Sequence, residues 1–233
     1  MTLVKLIKNS IGGGVILISL AAGTAQAANL LQNGSFENTA GTFVNNGFGW
    51  MSLNPGSTVI PGWTTTTAEL AWGQNGSSDG LTTPFGAFRL DLSGYHDSSP
   101  YGGVTQTINT TVGQQYTLSL SLGILNPTYP GPISVTATAG SSNQTFTFNP
   151  SGSGNQWGGF SLDFTATSTS TPISIVGIST ANTHYLGLDN VSVEAKTTQT
   201  VPEPSTILGL GLLGFGAFCQ RKLAQGKKSK QDN

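Results

Sequence analysis

Hydrophobic and polar residues alternate with a period of two over much of the chain from residue 103 onward. Between Tyr116 and Leu122, the aromatic and aliphatic side chains fall on even positions, and Thr and Ser side chains fall between them. This alternation is typical of β-strands that bury one face. The same rhythm recurs in four further runs: Ile133, Val135 and Ala137; Phe160, Leu162 and Phe164; Ile173 and Ile175; and Val191 and Val193.

Turn signals rich in Gly and Pro separate these runs. The chain contains 32 Gly and 11 Pro residues and shows no long helical pattern. Short alternating strands joined by such turns predict an all-β fold, an antiparallel β-sandwich. Residues 38–85 differ, because they read as long loops with isolated strands. The main turn signals are Val112-Gly113, Asn126-Pro127, Pro130-Gly131-Pro132, Gly140-Ser141-Ser142 and Asn149-Pro150-Ser151-Gly152.

The first 27 residues have the three parts of a secretory signal peptide. Lys5 and Lys8 precede an apolar stretch at residues 11–22, and Ala25 and Ala27 form an A-x-A cleavage site. Signal peptides have this layout and are removed from the mature protein. We therefore expect a signal helix in residues 1–27, removal of this segment by signal peptidase, and a folded domain at residues 28–196.

The other end of the chain, residues 201–233, also has three parts. Val201, Pro202, Glu203 and Pro204 are followed by an apolar stretch at residues 206–218 and then by a basic tail. Thirteen apolar residues are fewer than the roughly 20 that a helix needs to cross a membrane. The pattern predicts a short apolar helix that anchors the protein transiently, with the basic tail on the cytoplasmic side.

This C-terminal layout resembles the PEP-CTERM sorting signal of Gram-negative bacteria. The resemblance implies that an exosortase-type membrane protease recognises the Pro-Glu-Pro element and that the tail is removed. Residues 197–200 would form the linker to the folded domain. With the signal peptide, the resemblance predicts export across the inner membrane and a final place at the cell surface or outside the cell. The alternative is a short C-terminal anchor without processing.

The net charge of the predicted folded domain becomes clear when the two terminal segments are left out. Residues 28–200 contain two basic and eight acidic side chains, which gives a net charge of −6. An acidic surface repels phosphate backbones, so nucleic acid is excluded as a partner, whereas divalent cations would be attracted. The one cysteine, Cys219, lies in the tail, so the folded domain has no disulfide.

Four segments of the domain carry a second resemblance. They are residues 29–37, 60–63, 104–108 and 188–193. Together they resemble the galactose-binding-like jelly-roll superfamily, and within it a family of uncharacterised domains from plant cell-wall proteins and secreted bacterial proteins. Several carbohydrate-binding module families have similar segments at the start and the end of the domain. The resemblance implies a jelly roll whose first and last strands lie side by side.

The same resemblance implies one structural Ca²⁺ between the first and last strands. Glu37 and Asp189 would be its carboxylate ligands, with backbone carbonyls near Asn33 and Ser35 completing the oxygen shell that Ca²⁺ requires. The alternative is that Glu37 is a solvated acid and that Asp189 caps a strand or a turn.

Aromatic residues in predicted loops indicate a sugar site, because flat rings pack against the C–H faces of sugars while polar groups bind the hydroxyls. Residues 94–103 would form the rim of a cleft. The alternative is that the tryptophans fill the core or its rim, as expected for Trp63 and Trp157, and that Arg89 pairs with Asp91. The expected carbohydrate-binding residues are Trp72, Tyr95, Tyr101, Arg89 and Asp91, with Trp50 and Tyr129 as further loop aromatics.

Catalytic motifs are missing from residues 28–200. This stretch contains His96 and His184 but no cysteine, no metalloprotease motif and no nucleophile elbow, so we expect no enzyme. The leading hypothesis is non-catalytic binding of polysaccharide. A structural or adhesive matrix protein without a sugar site is the alternative. A glycoside hydrolase is the third possibility, but it needs two opposed carboxylates, and no pair stands out.

Overall fold

The computed structural model describes residues 27–96, 99–178 and 185–196. The predicted signal peptide up to Gln26, the linker and the C-terminal sorting segment lie outside the described residues, and so do both expected terminal helices. Within the described ranges, no helix is long and apolar enough to cross a membrane.

Two antiparallel sheets are packed face to face, which confirms the predicted all-β sandwich. One sheet has six strands in the order β1-β3-β4-β11-β6-β9, and the other has five in the order β2-β5-β10-β7-β8. A short 3-10 helix, Gly94–His96, follows β4. The strands are β1 Trp50–Leu53, β2 Thr64–Thr66, β3 Leu70–Gln74, β4 Phe88–Asp91, β5 Gly103–Asn109, β6 Gln115–Asn126, β7 Ile133–Ala139, β8 Ser142–Phe148, β9 Gly154–Thr165, β10 Ser170–Ile178 and β11 Gly187–Ala195.

The core lies between the sheets, where the alternating apolar positions meet. Each fully buried Leu, Ile or Val side chain contributes about 1.5–3 kcal/mol, and a one-residue slip in register would turn a whole set of them toward water. The alternation therefore specifies both the strands and their register. Phe160 is partly buried, and the remaining predicted inward residues are buried: Tyr116, Leu118, Leu120, Leu122, Ile133, Val135, Ala137, Leu162, Phe164, Ile173, Ile175, Val191 and Val193.

The start of the domain runs beside the last strand, but it is not itself a strand. The backbone N–H of Leu30 donates to the carbonyl of Val193 at 2.8 Å, and that of Val191 donates to the carbonyl of Gly34 at 2.9 Å. Between these contacts the chain turns, and Asn33 has a φ of 55°. A residue with a left-handed backbone conformation interrupts the hydrogen bonds between neighbouring strands. The expected first strand is therefore replaced by a turn-rich segment against β11.

Residues 75–87, which we call the cover loop, lie across the outer face of the six-stranded sheet. Leu81 in this loop is fully buried against Gly187, where an added Cβ would lie 3.0 Å from the Leu81 Cδ2. The Trp157 Nε1 donates to the carbonyl of Thr82 at 2.7 Å. The sheet therefore buries residues on both faces, and its outer face is filled by the chain itself.

Gly34 offers a test of the contact between the start of the domain and β11. A Cβ at this position would lie 1.9 Å from the carbonyl oxygen of Val191. Because the obstacle is backbone, we expect Gly34→Ala to lower the free energy of unfolding by about 1–3 kcal/mol or more. The matched control is Gly159→Ala in β9, where nothing lies within 4 Å. Urea unfolding of both variants measures the effect, and equal stabilities would contradict the close approach.

Candidate functional site

A cavity of about 200 Å³ lies beside the cover loop, at the outer face of the six-stranded sheet. Its walls come from the loop before β1, from β1, β3 and β4, from the cover loop, from the 3-10 helix and from the residue that precedes Leu186. We call it the aromatic pocket. Its principal lining residues are Phe48, Trp50, Ser78, Asp91, Tyr95 and Tyr185.

Small residues in β3 leave the space that the pocket occupies. Gly73 lies opposite Trp50 in the β1–β3 ladder, and Ala71 lies opposite Asp91 in the β3–β4 ladder. A Cβ on Gly73 would approach the Trp50 ring to 2.8 Å, so the indole lies directly over the glycine. Sheet register therefore places Trp50 and Asp91 on one face with no bulky neighbour between them.

Aromatic rings form the walls of the pocket. The rings of Trp50 and Tyr185 are nearly parallel, with centroids 6.1 Å apart and an interplanar angle of 10°. Phe48 and Tyr95 are 64% and 55% exposed, which is unusual for large aromatic side chains. The backbone N–H of Tyr95 donates to Glu69 Oε2 at 2.9 Å, and its hydroxyl accepts a hydrogen bond from the Asn46 amide. These two contacts fix the ring that lies at the rim.

Asp91 supplies a buried carboxylate to the pocket. Its Oδ1 accepts hydrogen bonds from the Ser93 N–H at 3.0 Å, the Ser93 hydroxyl at 2.6 Å and the Leu186 N–H at 2.9 Å. Its Oδ2 is buried and has no hydrogen-bond partner. Burial raises the pKa of Asp91 to about 6, although the three donors and the charge of Arg89 oppose this shift. One oxygen is therefore saturated, and the other is free to accept a hydrogen bond.

Arg89 lies behind Trp50 and does not line the pocket. Its guanidinium forms a buried ion pair with Asp79 and donates to the Ser77 hydroxyl at 3.1 Å. Its Cζ lies 5.2 Å from the centroid of the Trp50 ring. The pairing with Asp91 that the sequence suggested is wrong, because Asp79 in the cover loop takes that place. Arg89 holds the cover loop on the sheet and supports the pocket wall from behind.

Two expected sugar-binding aromatics are buried in the core, which corrects the sequence interpretation. Trp72 lies in β3 between Ala71 and Gly73, so strand alternation turns it away from the pocket and into the core, where it is fully buried. Tyr101 is also a buried core residue. The structure brings Tyr95, Asp91 and Trp50 together, and it leaves Trp72 and Tyr101 without a ligand-facing surface.

Sequence reasoning also missed Phe48 and Tyr185, which line the pocket. Phe48 stands between two glycines, and an aromatic residue in a glycine loop is a usable signal for an exposed ring. Tyr185 gives no such signal, because its position depends on β11 pairing with β4. Trp63 is buried in the core as expected, but Trp157 is only half-buried and packs on the outer face.

The expected calcium ligands are brought near each other. The Glu37 carboxylate accepts from the N–H groups of Ala87 and Phe88, and the buried Asp189 accepts from the Thr83 hydroxyl and from its neighbour's N–H. Burial, aided by the charge of Glu37, raises the pKa of Asp189 to about 7. A divalent cation would relieve this repulsion, so the anionic pair fits calcium in charge. Within the described ranges no group of three or more His, Cys, Asp or Glu residues is poised for a metal, and Ca²⁺ stays a prediction.

Comparison with protein families identifies the domain. A family model described as "Protein of unknown function (DUF642)" matches residues 29–194. The chain belongs to this family. The PEP-CTERM protein-sorting motif matches residues 200–222, which indicates a secreted protein that exosortase processes and sorts to the cell surface. No curated protein matches the chain.

Three solved structures similar to the DUF642 domain share little sequence identity with it. A family 35 carbohydrate-binding module from Clostridium thermocellum is 12% identical over 61% of this chain and 97% of its own, with a TM-score of 0.38. TmCBM61, solved with β-1,4-galactotriose, is 14% identical over 73% and 100%, with a TM-score of 0.40. The arabinose-bound α-L-arabinofuranosidase MgGH51 is 15% identical over 76% of this chain, with a TM-score of 0.48. This chain spans only 28% of that hydrolase.

The raised pKa of Asp189 predicts how the stability of the domain depends on pH. A carboxyl that binds its proton more tightly in the folded state stabilises the fold at low pH, and this stability is lost as pH rises toward the folded pKa. Without calcium, we expect the melting temperature to fall by roughly 5 °C or more between about pH 5 and pH 8. Asp91 contributes in the same direction. Asp189→Asn should therefore reduce the slope without abolishing it.

Thermal melts with chelator and with excess calcium measure this effect. If calcium binds, it should raise the melting temperature of the native protein near pH 8 and leave Asp189→Asn unchanged. Asp163→Asn is the control, because Lys196 and Thr117 lower the pKa of Asp163 and its contribution to stability is lost only in acid. A slope that is the same in the native protein and in Asp189→Asn would contradict the assignment.

Proposed function

We propose that the DUF642 domain binds carbohydrate without catalysis, through the aromatic pocket, in a protein exported to the cell surface or beyond. One observation supports this proposal above all. The pocket combines exposed aromatic rings at its rim with a buried, unpartnered carboxylate oxygen of Asp91. Ligand pockets typically combine apolar walls with a few fixed polar groups in this way.

The chemistry of the pocket matches that of a sugar ring. Tyr95 and Phe48 offer flat faces to C–H groups, and the free oxygen of Asp91 accepts a hydrogen bond from a ligand donor. Three donors hold the other oxygen of Asp91 in place, so this acceptor is oriented before a ligand arrives. Preorganisation of this kind lowers the entropy lost on binding.

The pocket supports binding better than hydrolysis. Asp91 is the one carboxylate among the described lining residues, whereas most glycosidases place a second carboxylate roughly 5–9.5 Å from the first across the scissile bond. Glu69 lies nearby, but its oxygens accept hydrogen bonds from the Ser52 hydroxyl and the Tyr95 N–H. The described lining residues therefore offer no acid–base pair.

The size of the pocket favours a chain end or a branch residue. Its volume of about 200 Å³ is below the roughly 300–1,000 Å³ of pockets that hold drug-sized ligands. The cover loop fills the neighbouring sheet face, where Leu81 packs against Gly187 and Trp157 packs against Gly123. A polysaccharide cannot lie along this face while the loop is in place. Recognition of one terminal residue, with the remaining chain in solvent, is the mode that this shape allows.

Export gives the pocket its access to extracellular glycans. We propose that signal peptidase removes residues 1–27 and that exosortase recognises Val201 to Pro204, with the apolar segment at 206–218 acting as a transient anchor. The folded domain would then face polysaccharide at the cell surface or in the surrounding matrix. If no glycan binds, the same location suits a structural matrix protein.

Tyr95 gives the most direct test of this function, because it is exposed and its loss leaves the core intact. We expect Tyr95→Ala to weaken glycan binding about 10-fold, since aromatic contacts of this kind contribute on the order of 1 kcal/mol or more. The matched control is Val112→Ala, an apolar residue of similar exposure, 59%, in the turn between β5 and β6. Titration calorimetry of the full chain in mild detergent, against a panel of oligosaccharides, measures both variants.

The results separate the proposals. Binding that Tyr95→Ala weakens and Val112→Ala preserves supports the aromatic pocket. Binding that both variants preserve places the sugar site elsewhere on the domain. A folded protein that retains no glycan from the panel contradicts carbohydrate binding and favours the structural matrix protein.

A further inference from the structure

Within the part of the chain that the structure describes, no cation forms an ion pair with the Asp91 carboxylate of the aromatic pocket. Arg89 and Lys196 are the two Lys and Arg residues of the stretch 28–200. Arg89 is paired with Asp79, and Lys196 is paired with Asp163. Neither cation forms an ion pair with Asp91, whose Oδ2 has no hydrogen-bond partner, although the charge of Arg89 favours the ionised carboxylate.

A buried carboxylate with one unpartnered oxygen calls for a particular kind of ligand. An ionised carboxylate removed from water is strongly destabilised unless it is paired or hydrogen-bonded. A neutral hydroxyl would satisfy the hydrogen bond but leave the charge uncompensated. A protonated amine would satisfy both, because charge-assisted hydrogen bonds are roughly twice as strong as neutral ones.

The walls of the pocket favour the same ligand. Trp50, Tyr95 and Tyr185 line the cavity beside Asp91. The negative face of an aromatic ring attracts a cation, and the effect grows when the cation is desolvated. The guanidinium of Arg89 already lies over the Trp50 ring, with its Cζ 5.2 Å from the ring centroid, so this ring accommodates a cation. These aromatic side chains are therefore suited to a ligand that carries an ammonium group on a ring with an apolar face.

We propose that the aromatic pocket selects a sugar residue with a free, protonated amino group, namely a non-acetylated hexosamine at a chain end or branch. This inference rests on the proposed carbohydrate binding and adds the class of sugar. The amino group would donate to Asp91 Oδ2, and the sugar ring would pack on Tyr95. N-acetylation removes the positive charge and adds bulk to a ligand in a cavity of about 200 Å³. Uronic acids are disfavoured because like charges repel.

Three disaccharides of similar size test this preference on the native protein. They are β-1,4-linked glucosamine, its N-acetylated form and the neutral glucose disaccharide, titrated into the full chain in mild detergent at neutral pH and physiological salt. Physiological salt suppresses weak attraction between the amine and the acidic surface. We expect the glucosamine disaccharide to bind at least 10-fold more tightly than the other two, on the order of a 1.4 kcal/mol difference.

Asp91→Asn tests the role of the carboxylate. The asparagine oxygen can keep the hydrogen bonds from Ser93 and Leu186, and its amide replaces the free oxygen with an uncharged donor. We expect this variant to lose the preference for glucosamine, so that the glucosamine and neutral disaccharides bind with affinities within about 3-fold of each other. Asp163→Asn is the control, because it removes the same charge from an exposed position that is not among the pocket's lining residues. It should keep the preference.

The outcomes distinguish this inference from the proposed function. If the neutral or acetylated disaccharide binds as tightly as glucosamine, the inference is overturned and carbohydrate binding stands. If Asp163→Asn loses the preference as Asp91→Asn does, surface charge is responsible and the assignment to the pocket is wrong. If none of the three sugars binds and the wider oligosaccharide panel also fails, both proposals fall. The comparison on the native protein remains decisive even where Asp91→Asn does not fold.

Discussion

The buried ion pair between Arg89 and Asp79 connects the cover loop to the six-stranded sheet. Both side chains are fully buried, and removal of one partner from such a pair typically costs about 3–5 kcal/mol, because a charge is left in the interior. The same guanidinium supports the Trp50 ring. One interaction therefore closes the outer face of the sheet and fixes a wall of the aromatic pocket. Without it, the cover loop would keep contacts such as that between Trp157 and Thr82 but lose its buried charge pairing, and the Trp50 ring would lose the cation beside it.

Sequence patterning predicted the second half of the domain well and the first half poorly. From β5 onward, most strands bury one face, so their apolar residues alternate and the pattern is visible, as in β7 with Ile133, Val135 and Ala137. β3 differs because the cover loop and Trp50 bury its outer face as well, and four of its five residues are buried. Burial on both faces removes the alternation, and the sequence between residues 38 and 85 then reads as loop.

The same physics explains the errors at the site. Trp72 and its neighbours Ala71 and Gly73 belong to one strand, and the register of β3 decides which of them faces the core. Aromatic residues can be recognised in a sequence, but the face they occupy cannot be known until the strand is recognised. Tyr95 lies in the short 3-10 helix beyond β4, outside any ladder, so its exposure agrees with its place in a predicted loop. Asp91 was predicted as a ligand residue. The sequence could not show that one of its oxygens is saturated, because one of the donors is the Leu186 N–H, which is distant in the chain.

Buried polar atoms without partners usually have a cost and call for an explanation. Within the described residues the Trp72 Nε1 and the Thr66 hydroxyl also lack partners, but Asp91 differs because it lines a cavity that a ligand can enter. A purely structural role would be served better by Asn or Ser, which carry no charge into the interior. Burial raises the pKa of Asp91, because the ionised form is unfavourable in the interior of the free protein. A ligand that supplies a donor and a positive charge would recover part of this energy on binding.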